Sequence, residues 1–171
     1  MGKVIHLAAD DLIISKTDTE GRIIYCNRAF MRLSGYSSAD ALGQPHRLVR
    51  HPDMPRGIFK LLWQTVQNGE EFHGFIKNRT RDGDAYWCFS SITPNYTAEG
   101  RLNGYFAVQR QARREALEQI EEIYRQMQGI ERRSGHREAP AASLRWLREH
   151  LADQGSQYEP FIILLQRGVE I

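Results

Sequence analysis

Residues 44–57, QPHRLVRHPDMPRG, concentrate basic and imidazole side chains on a short, proline-braced stretch of the chain. Three prolines, two histidines, three arginines and one aspartate occupy these positions. Guanidinium and imidazole groups suit an anionic ligand, a metal or haem iron, or a nucleic-acid backbone. A solvated loop that leads into a helix cap is the alternative for the same residues. The elements around the segment must decide which of these it serves.

Short strands and short helices are predicted on both sides of this segment. Asp18 and Gly21 supply turn chemistry between two apolar runs, which predicts a hairpin, and Asn27 is a good N-cap for the helix that follows. The predicted strands cover residues 12–16, 22–25, 71–80, 85–93 and 102–110, and the predicted helices cover 27–34, 37–43 and 55–67. This order predicts an α+β fold built on one antiparallel sheet of five strands.

The chain changes character at Gln111, where a charge-rich helical pattern begins. Its apolar residues are spaced alternately four and three apart, which is typical of a heptad seam: Ala116, Ile120, Ile123, Met127 and Ile130. Such a seam over 112–130 predicts that the helix pairs either with a second copy of the chain, giving a homodimer, or with a partner signalling protein. The alternative is that the helix packs against the chain's own sheet.

We therefore divide the chain into a domain over residues 8–110, a linker or signalling helix over 111–133, and an extension over 134–171. Within the extension, 134–143 are predicted as a linker, 144–152 as an amphipathic helix, and the residues from Tyr158 onward as an apolar tail. The sequence assigns the extension no role.

Composition excludes several classes of function. With 171 residues, 41% of them hydrophobic, and a formal charge of only +2, the chain is an ordinary globular protein and not a nucleic-acid binder. Its late apolar run, 161–165, is far shorter than the roughly 20 residues of a membrane span. We expect a cytoplasmic protein without a signal peptide. No cluster has metal-ligand spacing, and no nucleophile–base pair, Walker loop or Rossmann glycine pattern indicates an enzyme.

Local motifs identify a family more specifically than the order of elements does. TDTEGRIIYCNRAFMRLSGYS joins a hairpin to an asparagine and an aromatic-bearing helix, and QPHRLVRHPDMP is followed by WQTVQNGEEFHGFIKNRTRDGDAYW. Over about residues 8–110 these motifs resemble the PAS family of sensor domains, and within it the FAD-binding domains of bacterial aerotaxis receptors. The resemblance implies a PAS fold with short helices on one face of the sheet, and FAD held in a cleft between sheet and helices.

The resemblance also implies roles for individual residues of the segment. The family's Arg-His-x-Asp motif, which helps retain FAD, matches Arg50, His51 and Asp53 here. Arginine offers a planar fork for a pyrophosphate, and the prolines Pro52 and Pro55 restrict the backbone around it. As an alternative role, Asp53 caps the helix that begins near Pro55, and the charged groups of the segment face water.

Four further residues are expected in or beside the cofactor cleft. Asn78 lies in the middle of a predicted strand, where asparagine is disfavoured, and the resemblance places it against the polar edge of the isoalloxazine. Trp63 and Trp87 are the bulky aromatic residues of this region, and each suits either the flavin or the core. Asn27 matches the family's asparagine after the second strand, and a helix cap is its alternative role.

One departure from the family narrows the mechanism. The light-sensing branch of the family carries a reactive cysteine in the stretch that is HRLVRHPD here, and this chain has none, so we exclude light-driven cysteinyl adduct chemistry. Haem b is the alternative cofactor, with His46, His51 and His73 as available ligands. We expect an FAD-binding PAS sensor of redox state or oxygen that signals through its C-terminal helix; a haem-binding gas sensor and a cofactor-free interaction module are the alternatives.

Overall fold

A computed structural model describes residues 2–169 of the chain. Its strands are β1 Val4–Ile5, β2 Ile13–Thr17, β3 Ile23–Cys26, β4 Phe72–Arg79, β5 Ala85–Tyr96 and β6 Leu102–Gln111. Its helices are α1 Arg28–Ser34, α2 Ser38–Ala41, α3 Arg56–Gln67, α4 Arg114–Arg133, α5 Ala139–Asp153 and α6 Tyr158–Arg167, with a short 3-10 turn at His46–Val49. None of these helices is both long and apolar enough to cross a membrane.

The sheet places the first hairpin beside the last strand. β2 pairs antiparallel with both β3 and β6, β6 pairs with β5, and β5 pairs with β4. These five strands confirm the predicted antiparallel sheet. The sheet is nevertheless mixed and six-stranded, because β1 pairs in parallel with β5, Val4 opposite Ala85. A strand of two residues is too short to show the period-two pattern on which a sequence prediction depends.

The two faces of the sheet carry different layers. Alternate residues of β5 point in opposite directions: Tyr86 and Cys88 join a core with α1 and the hairpin, whereas Trp87 and Phe89 join a core with α4. We call the first face, toward α1 and the 3-10 turn, the inner face, and the second the outer face. Both faces of this strand are buried, so the sequence alone does not show which side chains point to which layer.

The residues after β6 form a helical layer on the outer face. Tyr124 of α4 places its ring 6.0 Å from that of Trp87 and donates a hydrogen bond of 2.7 Å to the carbonyl of Phe75. α5 packs against α3 and α4, and α6 packs beside β4. The extension is therefore folded onto the domain. The predicted linker over 134–143 is wrong in its second half, because α5 begins at Ala139. The predicted apolar tail forms α6 as far as Arg167, and Gly168 is its C-cap; residues 170 and 171 lie outside the described part of the chain.

The heptad seam of α4 is occupied within the chain. Ala116, Ile120, Ile123 and Met127 are buried in the core that includes α5 and the outer face, and Ile130 is half-buried. Pairing through this seam with a second copy or another protein is not the arrangement in the structure. The spacing correctly predicted a buried stripe, but a stripe of that width does not specify which surface covers it.

Candidate functional site

A cleft of about 730 Å³ opens on the inner face of the sheet, between the strands and the segment that contains the 3-10 turn and α3. Its volume falls in the usual range for small-molecule and cofactor pockets, roughly 300–1,000 Å³. Apolar side chains make most of its walls: Phe59, Leu62, Trp63, Ile76, Ile92, Tyr105 and Ala107. A small set of polar groups interrupts these walls and gives the cleft its chemical character.

The helix α3 contributes the aromatic wall. Its stripe of Ile58, Leu61, Leu62 and Val66 is buried, which fixes the rotation of the helix. Trp63 lies at the edge of that stripe, half-buried, with its ring edge-on to Tyr105 of β6 at a centroid distance of 5.3 Å. Trp63 therefore lines the cleft.

Two buried amides form a polar band on the sheet. Asn78 of β4 is 2% exposed, and its Nδ2 lies 3.8 Å from the sulfur of Cys88, a weak contact. Gln109 of β6 is 3% exposed, and its Nε2 donates to Ser90 Oγ at 2.8 Å. Both side chains line the cleft. Amides in an apolar wall each keep hydrogen-bonding capacity that a polar ligand atom can satisfy.

Arg50 closes the cleft beside these amides. A short antiparallel bridge joins its backbone to that of Asn78, and its guanidinium stacks on Phe59, with Cζ 3.4 Å from the ring centroid. Burial, and after it the neighbouring charge of Arg47, lowers the pKa of Arg50 to about 10, so the side chain is cationic at neutral pH. Within residues 2–169 its buried Nε finds no hydrogen-bond partner. An unpaired buried donor is unfavourable until an acceptor meets it.

His46 adds an uncharged imidazole to the same wall. Its Nε2 lies 3.0 Å from Ser15 Oγ on β2, and its ring meets Phe30 edge-on at 6.4 Å. Burial of the ring, and after it the positive charge of Arg50, lowers the pKa of His46 to about 4. The histidine is therefore neutral at physiological pH, and the half-buried Arg50 carries a positive charge at the cleft wall.

The structure does not bring His51 and Asp53 into the cleft with Arg50. The backbone N–H of Asp53 donates to His51 Nδ1 at 3.1 Å, and the Asp53 carboxylate pairs with Lys77 Nζ at 3.0 Å, on the outside of the segment. Burial of the imidazole, followed by the charge of Lys77, lowers the pKa of His51. Neither residue lines the cleft. Asp53 does not cap α3 either, because the N-cap position is Pro55.

Asn27 and Trp87 also lie away from the cleft. Asn27 Oδ1 accepts from the N–H groups of Phe30 and Ile14, so the asparagine caps α1 and ties it to β2. Trp87 lies on the outer face against Tyr124, on the opposite side of the sheet. Of the seven predicted site residues, Arg50, Asn78 and Trp63 line the cleft.

Sequence reasoning missed Gln109 as a site residue, named His46 only as a haem ligand, and assigned no role to the arginines Arg22 and Arg47 at the cleft. A signal for Gln109 was present. Counting by twos along β6 from Tyr105 through Ala107 reaches Gln109, which places a polar side chain at the end of an inward-facing row. No comparable signal exists for His46, because the direction of a side chain in a 3-10 turn depends on how the turn packs against the rest of the domain.

Among the residues that the structure describes, no three histidine, cysteine, aspartate or glutamate side chains are grouped to hold a metal ion. His73, one of the suggested haem ligands, stacks on Phe89 and contacts Ser91 Oγ at 3.0 Å, outside the cleft. His51 lies outside it as well. A haem iron in this cleft would therefore need His46 as its histidine ligand.

Comparison with known proteins gives a consistent family. The model of the PAS fold matches residues 23–108. The chain is 38% identical over 119 residues to the aerotaxis receptor of Escherichia coli (strain K12), covering 70% of this chain and 23% of the receptor. It is 41% identical over 97 residues to the nitrogen fixation regulatory protein of Klebsiella oxytoca, covering 57% and 20%.

A solved structure supports the same assignment. The PAS domain of a protein from Colwellia psychrerythraea superposes with a TM-score of 0.51 at 28% identity, covering 58% of this chain and 85% of that domain. The two curated relatives are much longer than this chain, which spans less than a quarter of either.

Proposed function

This chain belongs to the PAS family, and from that premise we propose that it is a sensor module whose cleft binds FAD and which reports redox state or oxygen to a partner protein. The observation that carries the proposal is the combination of Arg50 with two buried amides on an apolar slot. Two relatives support a role in signalling, since one is a receptor for aerotaxis and the other is a regulatory protein of nitrogen fixation.

The residues of the cleft fit the chemistry of a flavin nucleotide. An isoalloxazine is a flat, largely apolar ring system with one polar edge, which suits the apolar slot and the amides of Asn78 and Gln109. Arg22 and Arg47 lie toward solvent at the same cleft as Arg50. Arginines bind phosphate oxygens through paired N–H groups, so this arrangement favours a dinucleotide with a pyrophosphate over a shorter mononucleotide.

When bound, FAD would supply reversible electron transfer, and the chain's own residues would respond to the change in charge. Asn78 and Gln109 can each donate or accept a hydrogen bond, so either amide can reorient when a facing atom gains or loses a proton. Arg50, whose backbone is bridged to that of Asn78, supplies a fixed positive charge at the cleft wall. Neutral His46 adds no further charge, and the carboxylate of Glu20, which also lines the cleft, pairs with Arg22 at 3.2 Å.

The cysteines contribute nothing to this chemistry. Cys26 and Cys88 are both buried in the inner core, and burial raises the pKa of each thiol. A thiol held in its protonated form is a poor nucleophile. Their placement agrees with the expectation that a light-driven cysteinyl adduct does not form in this chain.

The test is a titration of the purified protein with FAD and, separately, with FMN, followed by visible absorption. We expect oxidised-flavin bands that bleach on anaerobic reduction, and tighter binding of FAD than of FMN. Arg50→Ala should weaken FAD binding roughly ten- to hundredfold, since hydrogen bonds to a charged group contribute about 1.5–3 kcal/mol. Arg79→Ala is the matched control, because Arg79 follows Asn78 on β4 but is exposed and does not line the cleft.

Three results would contradict the proposal. A protein that stays colourless with either flavin would leave an interaction module with an empty cleft. A sharp haem band that disappears in His46→Ala would identify the alternative cofactor. Equal FAD affinity in the Arg50→Ala and Arg79→Ala variants would show that the flavin binds elsewhere.

A further inference from the structure

The N-terminus of α3 has no cap of its own. Pro55 occupies the N-cap position and makes no side-chain hydrogen bond, and the first turn contains no acidic residue. The first N–H groups of a helix lack partners within the helix, and its positive end attracts negative charge. The start of α3, only six residues beyond Arg50 of the cleft, therefore depends on a group from elsewhere.

Glu131 of α4 supplies that group. Its Oε2 accepts from the N–H of Arg56 at 3.1 Å, and its Oε1 accepts from the N–H of Gly57 at 2.9 Å. Ser143 of α5 donates its hydroxyl to the same Oε1 at 2.6 Å. One carboxylate thus joins the first turn of α3 to both α4 and α5.

Further contacts tie the same stretch to the helical layer. Gln128 Nε2 of α4 donates to the carbonyl oxygen of Asp53, and Arg56 Nη1 donates to the carbonyl oxygen of His136 at 2.9 Å. Gly57 permits this close approach, because a Cβ there would lie 2.3 Å from Ser143 Oγ. Residues 53–57 are therefore clamped by the residues that follow the PAS domain.

The other side of this stretch belongs to the cleft. Arg50 precedes it and stacks on Phe59, and α3 carries Phe59, Leu62 and Trp63 into the cleft wall. Pro52 and Pro55 stiffen the intervening backbone. A change in the position of the α3 N-terminus would move the aromatic wall of the cleft, and the reverse is equally true.

We infer that Glu131 is a positioning residue that couples occupancy of the cleft to docking of α4 and α5. The inference rests on the proposed function, because it takes FAD as the ligand. Coupling of this kind is reciprocal: a ligand that favours one placement of α3 strengthens the docking, and the docking strengthens binding by the same factor. A signal from the cleft then leaves through residues 50–57 and reaches α4 beside the sheet.

Hydrogen exchange with and without FAD measures this coupling directly. The variants are Glu131→Gln and the control Glu121→Gln, whose parent carboxylate lies on an exposed position of the same helix. In the unmodified protein and the control, FAD should slow exchange in residues 114–153. In Glu131→Gln the slowing of exchange in these residues by FAD should be lost, while FAD still slows exchange in β4 and β6. The Kd of this variant for FAD should rise about fivefold or more.

A merely structural role for Glu131 predicts a different result. Exchange in 114–153 would then be faster with and without FAD by the same factor, and the ligand-dependent difference would remain. That result, or an unchanged Kd, overturns the coupling and leaves the proposed function intact. Failure of the unmodified protein to bind FAD overturns both. If Glu131→Gln does not fold, Ser143→Ala, which removes one hydrogen bond to the carboxylate, should show a smaller loss of the same difference.

Discussion

His46 makes the stability of the domain depend on pH in a predictable direction. Its imidazole faces Arg50 on its own segment, the hydroxyl of Ser15 on β2 and the ring of Phe30 on α1. None of these is an anion that would favour a protonated ring. Its pKa is about 4 in the folded protein and about 6.5 in the unfolded chain.

The direction in which stability changes with pH follows from the number of protons that each state binds. Between pH 6.5 and pH 4 the unfolded chain binds a proton at His46 that the folded protein does not, so acidification favours unfolding. At about 1.4 kcal/mol for each pH unit between the two pKa values, the full effect is about 3 kcal/mol, and about 2 kcal/mol of it is present by pH 4.5. His51, whose pKa is also lowered, adds a loss of the same sign.

The assay is urea unfolding followed by tryptophan fluorescence at pH 7 and at pH 4.5. His46→Gln removes the titrating group, so the variant should lose about 2 kcal/mol less than the unmodified protein between the two pH values. His136→Gln is the control, because His136 is exposed in the turn between α4 and α5. Equal losses in His46→Gln and the unmodified protein would refute the reasoning, whatever the absolute stability of the variant.

Two further predictions concern the packing of the helical layer. Gly57→Ala should destabilise the protein by about 1–2 kcal/mol, because its Cβ would crowd Ser143 Oγ, whereas Gly135→Ala, with open space around it, should be nearly neutral in the same urea titration. Adding Ser143→Ala should recover part of the Gly57→Ala loss, and strict additivity would argue against the contact. Ile120→Asp should cost about 4 kcal/mol or more and unfold the protein, measured by circular dichroism, while the exposed Glu121→Lys should not. A folded Ile120→Asp protein that has only changed its oligomeric state would restore the seam as an intermolecular surface.

The sequence predicted the elements well where the chain alternates or repeats with a clear period. The hairpin with Asp18 and Gly21, the stripe of α3 and the strands β2 to β6 all lie close to the predicted bounds. The pattern did not predict β1, nor the onset of α5 at Ala139. A two-residue strand has no period. Ser134 and Gly135 just before α5, and Pro140 in its first turn, are residue types that are typical of a linker.

The site was predictable in part, for a physical reason. Arg50 and Asn78 were found because the family resemblance carries them, and both line the cleft. The sequence left Trp87 open between the flavin and the core, because β5 is buried on both faces and hydrophobicity does not distinguish them; Trp87 lies in the core of the outer face. His51 and Asp53 follow Arg50 closely in sequence, but the chain leaves the 3-10 turn at Arg50 and directs them outward.

The charged segment 44–57 serves two surfaces that the sequence alone could not separate. Its first part reaches the cleft through His46, Arg47 and Arg50, and its last part, from Asp53 to Gly57, is held by the helices that follow the domain. A solvated loop would tolerate change at either part independently. Two packed surfaces on one stiff stretch imply instead that substitutions in the cleft and in α4 affect each other. A double-mutant cycle between Arg50 and Glu131, read as FAD affinity, should therefore depart from additivity although the two side chains contact different parts of the chain.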